Sequence, residues 1–347
     1  VCSLAKCKFR NAFGRLIEDQ PPLFIACAII ETMKKILTTT ASFSDTVAST
    51  DLKDKLAELG LESVLHFEFS KPFPFDESEV VAIVAGHTPK GEMLHVGPEQ
   101  AKLFPNLKVV TPFGIGTNHL DIPGLQNMRL TILTVPHFSK RTVAELAMAN
   151  LFAMARRLVQ QTVAIRSGEW KRQNGATING KMLGIVGLGS IGKEMAKLGK
   201  GLGMKVVAND LVYDEAFMKE WGVERGNKDS VVSAADFLSL HVPYDESTKN
   251  LIDKNAIERM KQGSFLINCA RGEVIDEAAV LEALEAGKLG GAALDVFSHE
   301  PPFANEVLAK LVKHPNVIAT PHVGAFTPET RYAIAEFITK EVAKTLK

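Results

Sequence analysis

The sequence predicts an α/β protein built on two doubly wound parallel sheets, and three observations carry that reading. From Met33 onward, apolar runs of strand length alternate with stretches of helical spacing, the pattern of parallel strands joined by crossover helices. These runs fall into two series, separated by a long apolar helix. One run ends in a glycine-rich turn that opens directly into an amphipathic helix, a local geometry suited to holding an anion. At 347 residues the chain is long enough for about two domains, each with its own core.

Residues 1–32 stand apart from this alternation. They hold three of the four cysteines (Cys2, Cys7 and Cys27), the pair Pro21 and Pro22, and mixed charge that fits neither a secretory signal nor a transit peptide. Met33 opens MKKILTTT, a good start for a first strand, so residues 1–32 are expected to be an extension outside the folded body. The first series of runs lies at 36–39, 64–67, 80–85, 109–113 and 130–135. Residues 142–159 then read as one helix with a wide apolar face, suited either to packing between domains or to a subunit interface. The second series lies at 183–186, 205–208, 237–242, 265–268, 292–296 and 317–320, six strands as in a dinucleotide-binding sheet.

Composition narrows the function classes. Lys+Arg and Asp+Glu balance at 40 each with no block of like charge, so neither nucleic acid nor an anionic membrane is an expected partner. A hydrophobic share of 46% is too high for disorder, and the longest apolar stretch, 23–30, is too short to span a bilayer. Beyond residue 32 the single cysteine, Cys269, has no partner for an internal disulfide, which fits a reducing, cytoplasmic location.

The glycine turn reads Gly187, Leu188, Gly189, Ser190, Ile191, Gly192, and Ile191, Met195, Leu198 and Leu202 continue it at helical spacing. Gly187 would permit the tight turn, Gly189 the close approach of a pyrophosphate, and Gly192 tight packing of helix on strand. Asp210 ends the next run, eighteen residues after Gly192, where a carboxylate accepts hydrogen bonds from the adenosine ribose. Leu211 and Val212 follow it rather than arginine, so NAD is expected over NADP.

In such a sheet the chemistry sits beyond the carboxyl ends of the strands. Three side chains qualify: Arg271 in FLINCARGEVID, Glu300 in LDVFSHEPP and His322 in VIATPHVGA. Hydride reduction of a 2-keto acid needs that set: a cation for the carboxylate and carbonyl oxygen, a proton donor for the forming alkoxide, and a carboxylate that keeps the donor charged. Arg271 suits the first role, His322 the second and Glu300 the third. His299 reads as a turn residue, His241 as a structural histidine and Cys269 as a small buried residue. No group of ligand residues has metal-binding spacing, and no metal is expected.

The chain from Met33 to its end resembles the D-isomer-specific 2-hydroxyacid dehydrogenase family, most closely its short phosphoglycerate dehydrogenase-like members. VGLGSIG, INCARGEVID, AALDVFSHEPP and TPHVGA carry the resemblance, with VAEL at 143–146 before them. It implies that Arg271, Glu300 and His322 are the catalytic residues. It also implies that Asp295 holds the nicotinamide carboxamide and that Val242, Pro243, Cys269, Ala270 and Gly324 line the cofactor site with Gly187, Gly189, Ser190, Ile191, Gly192 and Asp210. The formate dehydrogenase branch has Gln where this chain has Glu300, which favours a 2-hydroxy acid. Around the substrate the resemblance points to Ala85, Gly86, His87 and Gly116, with backbone amides of the first loop on the carboxylate.

The implied architecture is a Rossmann-like NAD domain, 139–320, inserted in a flavodoxin-like substrate domain, 33–138 and 321–347, in a homodimer with the helix from Thr142 at its interface. Phosphoglycerate members usually supply arginine in the first loop, whereas 80–95 contains none and offers His87 and Lys90, with Lys140 and Arg141 further along. Phosphoglycerate therefore stands beside glyoxylate, hydroxypyruvate and other small 2-keto acids. The chain ends soon after His322, so C-terminal regulatory domains and feedback by serine are not expected. The family also includes corepressors that use the fold as an NAD-sensing scaffold, and these form the alternative reading.

Overall fold

The computed structural model describes residues 33–69 and 72–347. The extension expected for residues 1–32 lies outside the described residues, as do Cys2, Cys7 and Cys27. The first sheet comprises β1 (Lys34–Thr38), β2 (Leu61–Leu65), β3 (Val80–Ala85), β4 (Val109–Pro112) and β5 (Thr131–Ile132), all parallel, in the order β2-β1-β3-β4-β5. That is the flavodoxin-like order. β3 is central and buried at all six positions, which is why it is written as the unbroken apolar run VVAIVA. The C-terminal helix Pro328–Thr345 returns to this sheet, where Ile334, Ala335, Ile338 and Val342 share a core with Ile36, Phe43 and Val84.

The second sheet comprises β6 (Met182–Val186), β7 (Lys205–Asn209), β8 (Glu224–Arg225), β9 (Phe237–Leu240), β10 (Ser264–Asn268), β11 (Leu289–Leu294) and β12 (Val317–Ala319). Its order, β12-β11-β10-β9-β6-β7-β8, is the doubly wound dinucleotide arrangement with one strand added at the β12 edge. Six apolar runs were expected, and seven strands are found. The additional strand, β8, is two exposed residues paired to Val207 and Ala208 at the sheet edge, so it needs no apolar run and leaves no hydrophobic signal.

The helix expected over 142–159 is two helices, Lys140–Ala155 and Leu158–Arg166. The break falls at Arg157, which takes a left-handed φ of 52° and donates through Nη1 to Asn316 Oδ1 at 2.8 Å. The first helix supplies Ala144, Ala147, Leu151 and Met154 to the core of the seven-stranded sheet, so its wide apolar face is explained by packing on that sheet. The second helix leaves Leu158, Val159, Val163 and Ile165 exposed. No helix among the described residues is long and apolar enough to cross a membrane.

Candidate active site

Arg271, Glu300 and His322 leave the carboxyl ends of β10, β11 and β12, and each is held by a local device. After β10, Asn268 donates through Nδ2 to the Arg271 carbonyl at 2.8 Å and accepts the Ala270 amide at 3.0 Å, which fixes the turn that presents Arg271. The guanidinium donates to the Ala270 carbonyl at 2.6 Å and lies against Gly116, where any Cβ would collide with it. Burial draws its pKa below the usual arginine value, against the charges of Glu300 and Glu273, and leaves it cationic at neutral pH. Gly272 packs so closely on the backbone of Phe297 and Ser298 that no side chain fits there, which ties the Arg271 turn to the loop carrying Glu300.

Glu300 Oε1 accepts the Phe297 amide at 3.1 Å, leaving Oε2 to accept His322 Nδ1 at 2.9 Å and His87 Nε2 at 3.1 Å. Burial raises the pKa of this carboxyl, but the hydrogen bonds from His322 and His87 and the charge of His322 outweigh it and hold the group well below the usual carboxylate range. An ionised carboxylate only accepts, so Nδ1 of His322 is the donor and Nε2 is left for a ligand. His322 itself takes the left-handed conformation, φ 53°, held by its amide bonding to the carbonyls of Asp295 and Thr320. Asp295 is buried and accepts Thr320 Oγ1 at 2.6 Å and the amides of Val323 and Gly324, both at 2.8 Å. Its place is therefore beneath the His322 loop, which it pins. That anchoring was not read from the sequence, because Asp295 and the His322 loop leave different strands and meet only in the folded chain.

The glycine turn is built as a cradle. Gly187, φ 94°, abuts the backbone of His241 and Val242, and Gly192 abuts the Gly187 carbonyl, so neither position admits a Cβ. Gly189 differs: a Cβ there would meet nothing within 4 Å, so the protein leaves open the space that a pyrophosphate requires. Ser190 and Ile191 begin the helix Ser190–Gly201 behind it, and His137, missed in the sequence, reaches Ser190 Oγ through Nδ1 at 3.1 Å. Asp210 ends beside the turn and accepts the Leu188 amide at 2.5 Å, while Leu211 and Val212 stay exposed. Pro243 is exposed after Val242, and Cys269 and Ala270 are buried at the end of β10. These residues fit a dinucleotide.

The remaining expectations separate clearly. Ala85 is the fully buried last residue of β3, and its carbonyl accepts Phe113 N at 2.7 Å. The Gly86 amide donates to Thr39 Oγ1 at 3.1 Å and the Thr88 amide to the Glu92 carbonyl at 2.9 Å, so two amides expected to be available to a carboxylate are engaged. What the loop delivers to the site is His87. His299 is exposed beside Ser298, in keeping with a turn residue, and His241 bonds Ser239 through Nε2 at 2.9 Å with a sealed Nδ1, in keeping with a structural one. Burial pushes the Cys269 thiol far up, away from a nucleophile's range. His119 was also missed: burial, then the positive fields of His87, Arg271 and His95, lower its pKa to about 4.

The chain is similar to known proteins over most of its length. Residues 148–324 match the family model described as D-isomer specific 2-hydroxyacid dehydrogenase, NAD binding domain. The hydroxypyruvate reductase of Thermotoga maritima is 35% identical over 285 residues, 77% of this chain and 92% of that protein. The D-3-phosphoglycerate dehydrogenase of Bacillus subtilis is 41% identical over 244 residues, 70% of this chain but 46% of that longer protein. Among solved structures, the D-lactate dehydrogenase of Aquifex aeolicus, complexed with NAD and lactic acid, superposes with a TM-score of 0.75 at 27% identity, covering 89% of this chain and 94% of that one.

Proposed function

We propose a substrate class and a set of residue roles for this chain, which belongs to the D-isomer specific 2-hydroxyacid dehydrogenase family and is an NAD-dependent oxidoreductase acting on the CH–OH group of 2-hydroxy acids. The substrate class is the small 2-keto acids, with hydroxypyruvate and glyoxylate ahead of phosphoglycerate. The observation that carries the reading is the 2.9 Å bond between Glu300 and His322 Nδ1, in a site where Arg271 is backed by Gly116. Arg271 binds the carboxylate and draws charge from the keto oxygen. His322 gives its Nε2 proton to the forming alkoxide and takes it back in the oxidative direction. Glu300 orients the imidazole and stabilises its charged form. NAD, when bound, supplies or accepts the hydride.

The absence of arginine from residues 80–95 argues against a rigid clamp on a phosphate. The same reading assigns the five-stranded sheet with residues 321–347 to the substrate domain, residues 139–320 to the NAD domain, and the enzyme to the cytoplasm. It also assigns a homodimer, with Leu158, Val159, Val163 and Ile165 as its exposed apolar face in place of the helix from Thr142. The scaffold alternative gains no support from the hydroxypyruvate reductase, phosphoglycerate dehydrogenase and D-lactate dehydrogenase to which this chain is similar.

The test is a panel of 2-keto acids with NADH. Turnover of hydroxypyruvate or glyoxylate with kcat/KM well above that for the oxidised form of phosphoglycerate supports the reading. NADH binding without turnover of any acid supports the scaffold.

A further inference from the structure

We propose that His87, Glu300 and His322 form a binding site for a first-row divalent cation, zinc in particular, that shuts off turnover by taking the Nδ1 side of His322 and the carboxylate that keeps this proton donor charged. Spacing along the chain gave no hint of it, because the three residues come from loops after β3, β11 and β12 and meet only in the folded molecule. Each of the three offers one ligand atom, an imidazole nitrogen or a carboxylate oxygen, within 4.8 Å of the other two. Both imidazole nitrogens already sit on the same carboxylate oxygen, at 3.1 and 2.9 Å. Tetrahedral zinc, with arms of about 2.0–2.1 Å, spaces its ligand atoms about 3.3–3.4 Å apart, so each nitrogen–oxygen distance needs to open by only a few tenths of an ångström, with the nitrogens, within 4.8 Å of each other, settling to the same span. Two imidazoles and a carboxylate are the donors zinc prefers among oxygen and nitrogen ligands.

The surroundings fit a metal site as well. The Phe297 amide holds Glu300 Oε1, which keeps Oε2 aimed between the two rings, and Asp295 pins the His322 loop from beneath. Three protein ligands leave a fourth position open, as in zinc sites that take a small ligand. Each imidazole must present its ligating nitrogen without a proton, so the ion and the hydrogen bond that orients His322 exclude each other. The ion would also tie a loop of the five-stranded sheet to two loops of the seven-stranded sheet.

The experiment titrates the full chain with Co2+ followed by its visible ligand-field absorption, then displaces cobalt with Zn2+. One cobalt per chain is expected, with affinity falling at least about tenfold in His87→Gln and in His322→Gln. NADH fluorescence titration of each variant checks that the cofactor site is intact. Zinc is expected to lower kcat without displacing NADH, and a chelator to restore turnover. Absence of saturable cobalt binding, or binding that both substitutions leave unchanged, overturns the site. Cobalt absorption does not depend on the acid chosen, so a failed substrate panel and a failed metal site are told apart.

Discussion

The two sheets contribute to the cleft in different ways. The seven-stranded sheet supplies Arg271, Glu300, His322 and the glycine cradle, each just beyond a strand end, with Arg271 and Glu300 fixed by neighbours close in sequence, Asn268 and Phe297. The five-stranded sheet supplies Gly116, which gives Arg271 its space, and His87, which shares the carboxylate of Glu300. In the proposed mechanism the seven-stranded side holds the reacting groups, and the five-stranded side sets their room and their electrostatics. Chemistry that depends on one strand end is locally encoded, whereas chemistry that depends on both sheets is not.

The largest effect should come from the seven-stranded side. His322→Ala is expected to lower kcat by roughly 10²–10⁴-fold while NADH titration stays within about twofold of the parent. Unchanged turnover would remove His322 from the role of proton donor. On the five-stranded side, Gly116→Ala pushes the flexible end of Arg271 aside rather than any backbone. A loss of about 1.5–3 kcal/mol in kcat/KM is expected, the scale of a hydrogen bond to a charged group, with little change in melting temperature. A matching loss of stability would mean that Gly116 matters for folding and not for Arg271.

Each sheet also carries one histidine whose burial lowers its pKa to about 4, His119 in the first and His241 in the second. Their folded values lie below the unfolded 6.5, so between pH 6.5 and about 4 the unfolded chain binds the extra protons. Stability is complete above that window and falls with pH by about 1.4 kcal/mol per unit for each group. Urea unfolding at several pH values should show the slope, and His119→Gln or His241→Gln should each flatten it; equal slopes in all three proteins would refute the assignment. The smallest effect belongs to cofactor choice: Asp210→Ala should improve NADPH relative to NADH by about 1 kcal/mol, read from paired titrations.

The cofactor side was legible because its signals are contiguous. VGLGSIG spans one strand end and one helix start, and Gly187 and Gly192 are forced by contacts within that unit and with the adjoining His241 and Val242 backbone. The substrate side was read less well. Backbone amides of the first loop looked available until Thr39 and Glu92 were seen to engage those of Gly86 and Thr88. β8 escaped notice because two exposed residues at a sheet edge carry no periodicity, and the helix break at Arg157 depends on Asn316, far along the chain.

By itself, then, the sequence determined the two parallel sheets, the dinucleotide cradle and the place of Arg271, Glu300 and His322 beyond strand ends, since strand burial and turn geometry are written in neighbouring residues. Only the tertiary structure decided that Gly116 makes room for Arg271, that Asp295 anchors the His322 loop, and that His87 joins Glu300. The physical reason is range: a hydrogen bond or a steric contact acts over about 3 Å in space, and across a cleft those few ångströms join segments whose separation along the chain leaves no pattern to read.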